Sequence, residues 1–124
     1  MMKPFMQKLS QLSSSGDHIT ASAHVAADSV WYAGHFPGNP ILPGIAVLAL
    51  VEEAILASEQ KEKRQVVITG IGRVRFRLPV KPDDRMTLKI DRVRKNSGLT
   101  YEFSVFLTEE LACTGFFRAR VVAD

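Results

Sequence analysis

The sequence predicts an α+β protein in which an antiparallel β-sheet wraps around one apolar helix. Residues 44–58 have the pattern of a helix, and its first two turns are apolar on every side. A helix without a polar face has to be enclosed by other elements. Much of the remaining chain alternates between apolar and polar residues, as half-buried strands do. For 124 residues, a single domain covering 1–124 is expected.

Composition and charge exclude several classes of protein. Hydrophobic residues make up 46% of the chain and charged residues 23%, which is typical of a globular domain. The longest apolar run, residues 45–51, is far shorter than the ~18 residues of a membrane span, and no secretory signal is expected from the N-terminal residues. Cys113 is the single cysteine, and no Cys/His cluster has metal-ligand spacing. A soluble, cytoplasmic protein without a disulfide or a metal site is expected.

The net charge of +3 comes from 16 Lys and Arg against 13 Asp and Glu. The basic residues cluster in three groups, which fit either solvated strand faces or a modest field for an acidic partner. Because no nucleic-acid-binding motif is present, a nucleic-acid partner is not expected. The three groups are Lys61, Lys63 and Arg64; Arg73, Arg75 and Arg77; and Arg92, Arg94 and Lys95.

The order of elements follows from periodicity and turn residues. A short helix is expected over residues 3–12, where Leu9 and Leu12 fall on one helical face with two other apolar residues. In the predicted main helix, Ser58 and Glu59 belong to the second half, which is expected to meet water or a cleft. His18 and His24 lie in the first predicted strand without an assigned role. The strands expected after the helix, as a four-stranded antiparallel meander, are 66–78, 86–94, 100–107 and 112–122.

The most informative segment is the loop at residues 31–44, which contains three prolines and three glycines. This density of residues with fixed or permissive φ predicts one specific irregular shape. His35, held in such a loop before a helix, has a pKa suited to a general base near neutral pH. The alternative is a histidine that only hydrogen-bonds the loop together.

Gly44 stands at the predicted helix N-terminus, after Pro43. The first N–H groups of a helix lack intrahelical acceptors, and the helix dipole adds partial positive charge there. A thioester carbonyl bound to the N–H of Gly44 or Ile45 would be polarised, and its α-proton acidified. Glycine would permit the close approach; the simpler explanation is a tight entry from proline into the helix, and both can hold together.

Residues 34–44, Gly-His-Phe-Pro-Gly-Asn-Pro-Ile-Leu-Pro-Gly, resemble the signature of the 3-hydroxyacyl-acyl carrier protein dehydratases, which have the hotdog fold. The segment from Arg75 to Asp84 resembles a second motif of that family. The resemblance implies a homodimer or higher oligomer with sites at the interface, no cofactor, and an acyl carrier protein or coenzyme A thioester as substrate. It implies His35 as the base, with substrate contacts from Phe36, Pro43, Gly44, Ile45 and Ala49.

The chain departs from that family at one position of the helix. The family has a Glu or Asp fourteen residues after the loop histidine, acting opposite it across the dimer, and here that position is Ala49. Glu53 lies one turn further, about 40° round the helix and about 6 Å along it, and is the candidate replacement. Glu52 lies about 60° the other way. Both carboxylates also fit a simple reading as residues at the solvent side of the helix.

Three functions are therefore considered. The first is dehydration of 3-hydroxyacyl thioesters in fatty acid or related lipid synthesis, with His35 as base and Gly44 N–H at the carbonyl. The second is a non-catalytic acyl-thioester-binding protein that keeps the loop for its shape. The third is an acyl thioesterase, since the hotdog fold also hosts hydrolases.

Overall fold

The computed structural model describes residues 8–26, 41–96 and 98–123. One long helix and six strands make up the described part, which confirms the predicted α+β class. In chain order the elements are β1 Lys8–Ser15, β2 His18–His24, α1 Gly44–Lys61, β3 Gln65–Phe76, β4 Met86–Lys95, β5 Gly98–Leu107 and β6 Glu110–Ala123. Within these residues, no helix has the length and apolar character needed to cross a membrane.

The six strands form one sheet in the order β1-β2-β4-β5-β6-β3, with every neighbouring pair antiparallel. The predicted four-stranded meander is correct only for β4, β5 and β6. The first strand after the helix, β3, pairs with β6 at the far edge instead. Its link to β4 crosses the molecule, and backbone hydrogen bonds hold it on the way: Arg77 N–H donates to Ala112, and Asp83 N–H to Val25.

The prediction of a helix over residues 3–12 is wrong for the described part, because β1 is a strand from Lys8 onward. Its register against β2 shifts between Ser10 and Ser13, and Gln11 has a φ of 54°. This bulge turns both Leu9 and Leu12 toward the core, which they reach as partly buried side chains. Their three-residue spacing, produced by the bulge, imitates a helical period.

The helix α1 begins at Gly44, as predicted, and ends at Lys61, three residues later than expected. One face packs into the sheet through side chains that are almost completely buried, and this face includes Ser58 and Glu59. The expectation that these two residues meet water or a cleft is therefore wrong. The buried face consists of Ala46, Val47, Leu50, Val51, Ala54, Ile55, Ser58 and Glu59.

The opposite side of α1 is an outward stripe that the protomer's own sheet leaves open. The stripe contains Ile45, which is 67% exposed, and Leu56, which is also exposed. Ala49 and Glu52 are partly exposed on the same side, and Glu53 is exposed. The sheet thus encloses the helix on one side, whereas the sequence predicted enclosure all around its first two turns.

Candidate active site

The helix N-terminus has the geometry that the sequence predicts for residues 43–45. Pro43 is the N-cap with φ −58° and ψ 146°, and no described side chain caps the helix. Its carbonyl accepts hydrogen bonds from the N–H groups of Ala46, at 2.9 Å, and Val47, at 3.4 Å. The N–H groups of Gly44 and Ile45 precede these two, in the positions where a helix offers donors to an anion or a polarised carbonyl.

A cavity of about 380 Å³ opens beside Gly44, within the usual size range of small-molecule sites. It lies between the first turn of α1, the end of β3 with the segment that follows it, and β6. The side chains that line it are apolar apart from Arg77, and they include Leu42, Val47, Phe76, Val80 and Cys113. An apolar lining beside backbone donors fits a molecule with a hydrocarbon part and one polar group.

Phe76 packs directly on Gly44. A Cβ added at position 44 would lie 2.5 Å from Cζ of the Phe76 ring, which is closer than side chains approach each other. A side chain at position 44 would therefore have to displace the protein's own aromatic ring. The two explanations that the sequence offers for this glycine, an approaching ligand and a tight entry into the helix, do not involve Phe76, although Phe76 lies in the second motif.

Cys113 is buried, as its place among apolar residues of the last strand predicts. It also lines the cavity, a contact that the sequence pattern could not show. Burial raises the pKa of its thiol to about 11, so the group is an unreactive neutral thiol near pH 7.

The carboxylates proposed for the helix lie on the outward stripe. Ala49 is five residues from Gly44 and Glu53 is nine, which corresponds to about 7 Å and about 13 Å along the helix axis. Both share this side of the helix with Ile45. Glu53 therefore lies on the same side of the helix as Ala49, where the dehydratases that the chain resembles have their acid, but one turn further from the helix N-terminus. His35 and Phe36 lie outside the described residues.

A second cluster of charged groups lies at the opposite end of the helix, about 22 Å from Gly44 along the axis. Glu59 accepts two hydrogen bonds of 3.0 Å from Arg92, one of 2.7 Å from Arg64 and one from the Tyr101 hydroxyl. Arg92 also donates to Asp17, at 3.0 Å, and to the carbonyl of Gly16, at 3.2 Å. Two carboxylates and two guanidinium groups balance in charge. The cluster fastens α1 to β4, β5 and the β1–β2 turn.

Burial has the largest single effect on the pKa values of Tyr101 and Arg92 in this cluster. Burial raises the pKa of Tyr101 above its ordinary value, and the hydrogen bond to Glu59 and its charge raise it further. Burial lowers the pKa of Arg92, but its hydrogen bonds to Glu59 and Asp17 outweigh this, and the pKa is raised. The guanidinium and the phenol therefore keep their protons throughout the physiological range. His18, next to Asp17 in the chain, is exposed and contacts the Asp91 carboxylate at the surface.

Within residues 8–26, 41–96 and 98–123, no group of three or more His, Cys, Asp or Glu side chains could hold a metal ion.

The sheet order and the long helix define a hotdog-fold protein, and solved structures share this fold. The dehydratase heterocomplex ApeI:P from Xenorhabdus doucetiae matches with a TM-score of 0.69 at 23% identity, over 96% of this chain and 99% of that chain. The protein smu.793 from Streptococcus mutans, bound to acetyl CoA, matches with a TM-score of 0.76 at 13% identity, over 94% and 90%. The predicted hotdog fold is confirmed.

Sequence comparison defines the family. The ApeI-like family, described as ApeI dehydratase, matches residues 11–115, and the chain belongs to it. The 3-hydroxyacyl-[acyl-carrier-protein] dehydratase FabZ of Levilactobacillus brevis is 30% identical over 115 residues, which are 89% of this chain and 77% of that protein. FabZ of Histophilus somni is 35% identical over 104 residues, covering 79% and 69%. The chain is a dehydratase-like protein of the lyase class, as the resemblance implied.

Proposed function

We propose that the chain removes water from 3-hydroxyacyl thioesters with His35 and the N-terminus of α1. The observation that carries this proposal is the apolar cavity that opens beside Gly44 at the start of the helix. The thioester carbonyl accepts a hydrogen bond from the N–H of Gly44 or Ile45, and this acidifies the proton on the adjacent carbon. His35 takes that proton, and the C–H electron pair forms the new double bond as the C–O bond to the hydroxyl breaks.

The departing hydroxyl needs a proton, and Ala49 cannot donate one. We propose that Glu53 supplies it through a bridging water, because its position lies about 6 Å beyond Ala49 along the helix. One water with two hydrogen bonds spans a gap of about this size. Glu53→Gln should then lower the rate of dehydration and leave thioester binding nearly unchanged. The matched control is Glu52→Gln, which removes the neighbouring charge on the other side of the stripe.

A second candidate for the acid is a carboxylate on a different chain. We propose, as the alternative, a pair with a second hotdog protein that carries Glu or Asp where this chain has Ala49. In the family the histidine and the acid face each other across the dimer, so such a pair would contain one complete site, with His35 of this chain. The match to one chain of a dehydratase heterocomplex, over 96% of the present chain, favours this arrangement.

Both arrangements need a dimer, and β3 is the strand that we propose for the interface. It lies at one edge of the sheet, so one row of its backbone hydrogen-bonding groups faces outward. Its exposed apolar side chains Val67 and Ile71, together with Ile45 of the helix stripe, would be covered in such a dimer. A partner strand would satisfy the edge and bury these side chains at the same time.

For the substrate carrier, we propose an acyl carrier protein in preference to free coenzyme A. Arg73 and Arg75 are exposed near the end of β3 and Arg77 is exposed just beyond it, and Arg77 lines the cavity. A basic row beside the entrance would attract the acidic surface expected of the carrier from the family resemblance. Raising the salt concentration should therefore weaken carrier-thioester turnover more than turnover of a short pantetheine thioester.

The proposal is tested by incubating the purified chain with 3-hydroxyacyl and trans-2-enoyl thioesters. Interconversion of the two supports dehydration, and release of free thiol would support a thioesterase. Binding without turnover would support the acyl-thioester-binding alternative. The same assay is then run on this chain coexpressed with a carboxylate-bearing hotdog protein. If the second chain supplies the acid, the mixed pair should be more active than this chain alone. If Glu53 supplies it, coexpression is not needed for activity.

A further inference from the structure

Phe76 stands at the mouth of the cavity, and its side chain is the movable part of that mouth. The ring is 52% exposed although it packs on Gly44. The backbone around it is fixed on both sides: Phe76 pairs with Cys113 in the sheet, and the next N–H, of Arg77, donates to Ala112 at 2.7 Å. Any motion of the ring is therefore a rotation about its own side-chain bonds.

The ring and the proposed substrate compete for the same space. Two further ring atoms lie at 2.9 Å and 3.1 Å from the position of a Cβ at residue 44, so the ring covers this side of Gly44. The ring also forms part of the apolar wall of the cavity. Because Gly44 and Phe76 line the same cavity, a thioester bound there has to pack along this ring or displace it.

We propose that Phe76 is a specificity-determining residue, whose ring limits the length of acyl chain that the cavity accepts. This inference rests on the proposed dehydratase function of the same site. With the ring in place, the hydrocarbon part of the substrate is confined to about 380 Å³. Without the ring, the cavity extends past Gly44 to the solvent, and a longer chain finds apolar surface there.

The test is a profile of kcat/KM for 3-hydroxybutyryl, 3-hydroxyoctanoyl and 3-hydroxydodecanoyl thioesters in the wild type and in Phe76→Ala. We expect the dodecanoyl-to-butyryl ratio to rise by about tenfold or more, because a single methylene in an apolar pocket already changes discrimination by about that factor. Phe116→Ala is the matched control, since Phe116 packs on Gly72 with the same 2.5 Å approach to a Cβ position but is not part of the cavity wall. Its profile should equal that of the wild type.

A second variant tests the contact with Gly44. In Gly44→Ala the new Cβ forces the ring away, so we expect the chain-length profile to change from that of the wild type. In Gly44→Ala/Phe76→Ala the ring is absent, and the double variant should behave like Phe76→Ala alone. This non-additivity is the signature of two residues in direct contact. Additive effects would contradict a coupling through the ring.

The experiments distinguish a failure of the proposed role of Phe76 from a failure of the proposed dehydratase function. An unchanged profile in Phe76→Ala, with butyryl dehydration retained, overturns the role of Phe76 and leaves the dehydratase proposal intact. If no substrate is turned over, the dissociation constants of saturated acyl-pantetheine thioesters of the same three lengths provide the readout. A length ratio that shifts in Phe76→Ala then supports Phe76 as the limit of the cavity, and an unshifted ratio overturns it.

Discussion

Replacing Arg92 by methionine removes the centre of the charged cluster that holds the end of α1. The side chains of Arg92 and Glu59 are only 5% and 1% exposed. The substitution deletes two hydrogen bonds to Glu59, one to Asp17 and one to the Gly16 carbonyl. Methionine fills much of the same volume, so the main effect is a buried carboxylate that has lost the guanidinium donating to both of its oxygens.

The expected cost follows from what remains around Glu59. Breaking a buried ion pair from one side costs about 3–5 kcal/mol. Arg64 and Tyr101 still donate to the carboxylate, so the lower end, about 3 kcal/mol, is expected. At an unfolding entropy of ~2.1 cal/mol/K per residue, 124 residues convert this loss into a fall in Tm of about 11 °C.

The assay is urea and thermal unfolding of the wild type, Arg92→Met and the matched control Arg94→Met. Arg94 is exposed on the same strand, and its replacement should change the free energy of unfolding by no more than about 0.5 kcal/mol. The double variant Glu59→Met/Arg92→Met should lose less than Arg92→Met alone, because it leaves no unpaired carboxylate in the core. Equal stability of Arg92→Met and Arg94→Met would show that the buried contacts of Arg92 do not stabilise the fold.

Three further predictions concern pH, assembly and the missing acid. Burial raises the pKa of the Cys113 thiol from 9.0 to about 11, so the folded protein loses stability as the pH rises from 9 through 11. The free energy of unfolding, measured at pH 9 and at pH 11, should fall by about 2 kcal/mol more in the wild type than in Cys113→Ala. Light scattering should give about twice the protomer mass of 13.7 kDa, and a monomer at micromolar concentration would contradict the interfacial site. Ala49→Glu should create or raise dehydratase activity in the homodimer, measured as conversion of a 3-hydroxyacyl thioester, and a folded dimeric variant no more active than the wild type would count against the acid position.

The sequence predicts best where a local pattern has only one structural solution. Pro43 before Gly44 and a following apolar run specify the start of α1, and the strands β4, β5 and β6 follow from alternation and turn residues. The pattern misleads at β1, because a bulge gives Leu9 and Leu12 a helical spacing. It also misleads for β3, which pairs with β6 and not with β4, because the connection from β3 to β4 crosses the molecule.

For the site too, the sequence predicts only those residues that lie together in one segment of the chain. Gly44 could be identified because a motif surrounds it, but its neighbour Phe76 comes from the far end of another element. Glu59 looks like a surface residue near a polar helix end, whereas its partners Arg92 and Tyr101 lie 33 and 42 residues away in sequence. Contacts of this range are created by the packing of α1 on the sheet and leave no periodic signal in the chain.

The most direct test of the dehydratase mechanism is kcat/KM for the dehydration of a 3-hydroxyacyl carrier-protein thioester by the wild type and by His35→Ala. We expect formation of the trans-2-enoyl thioester by the wild type and a loss of about 100-fold or more in the variant, since a general base is removed. Equal rates in the two proteins, with both folded and dimeric, would show that His35 does not take the proton at this site.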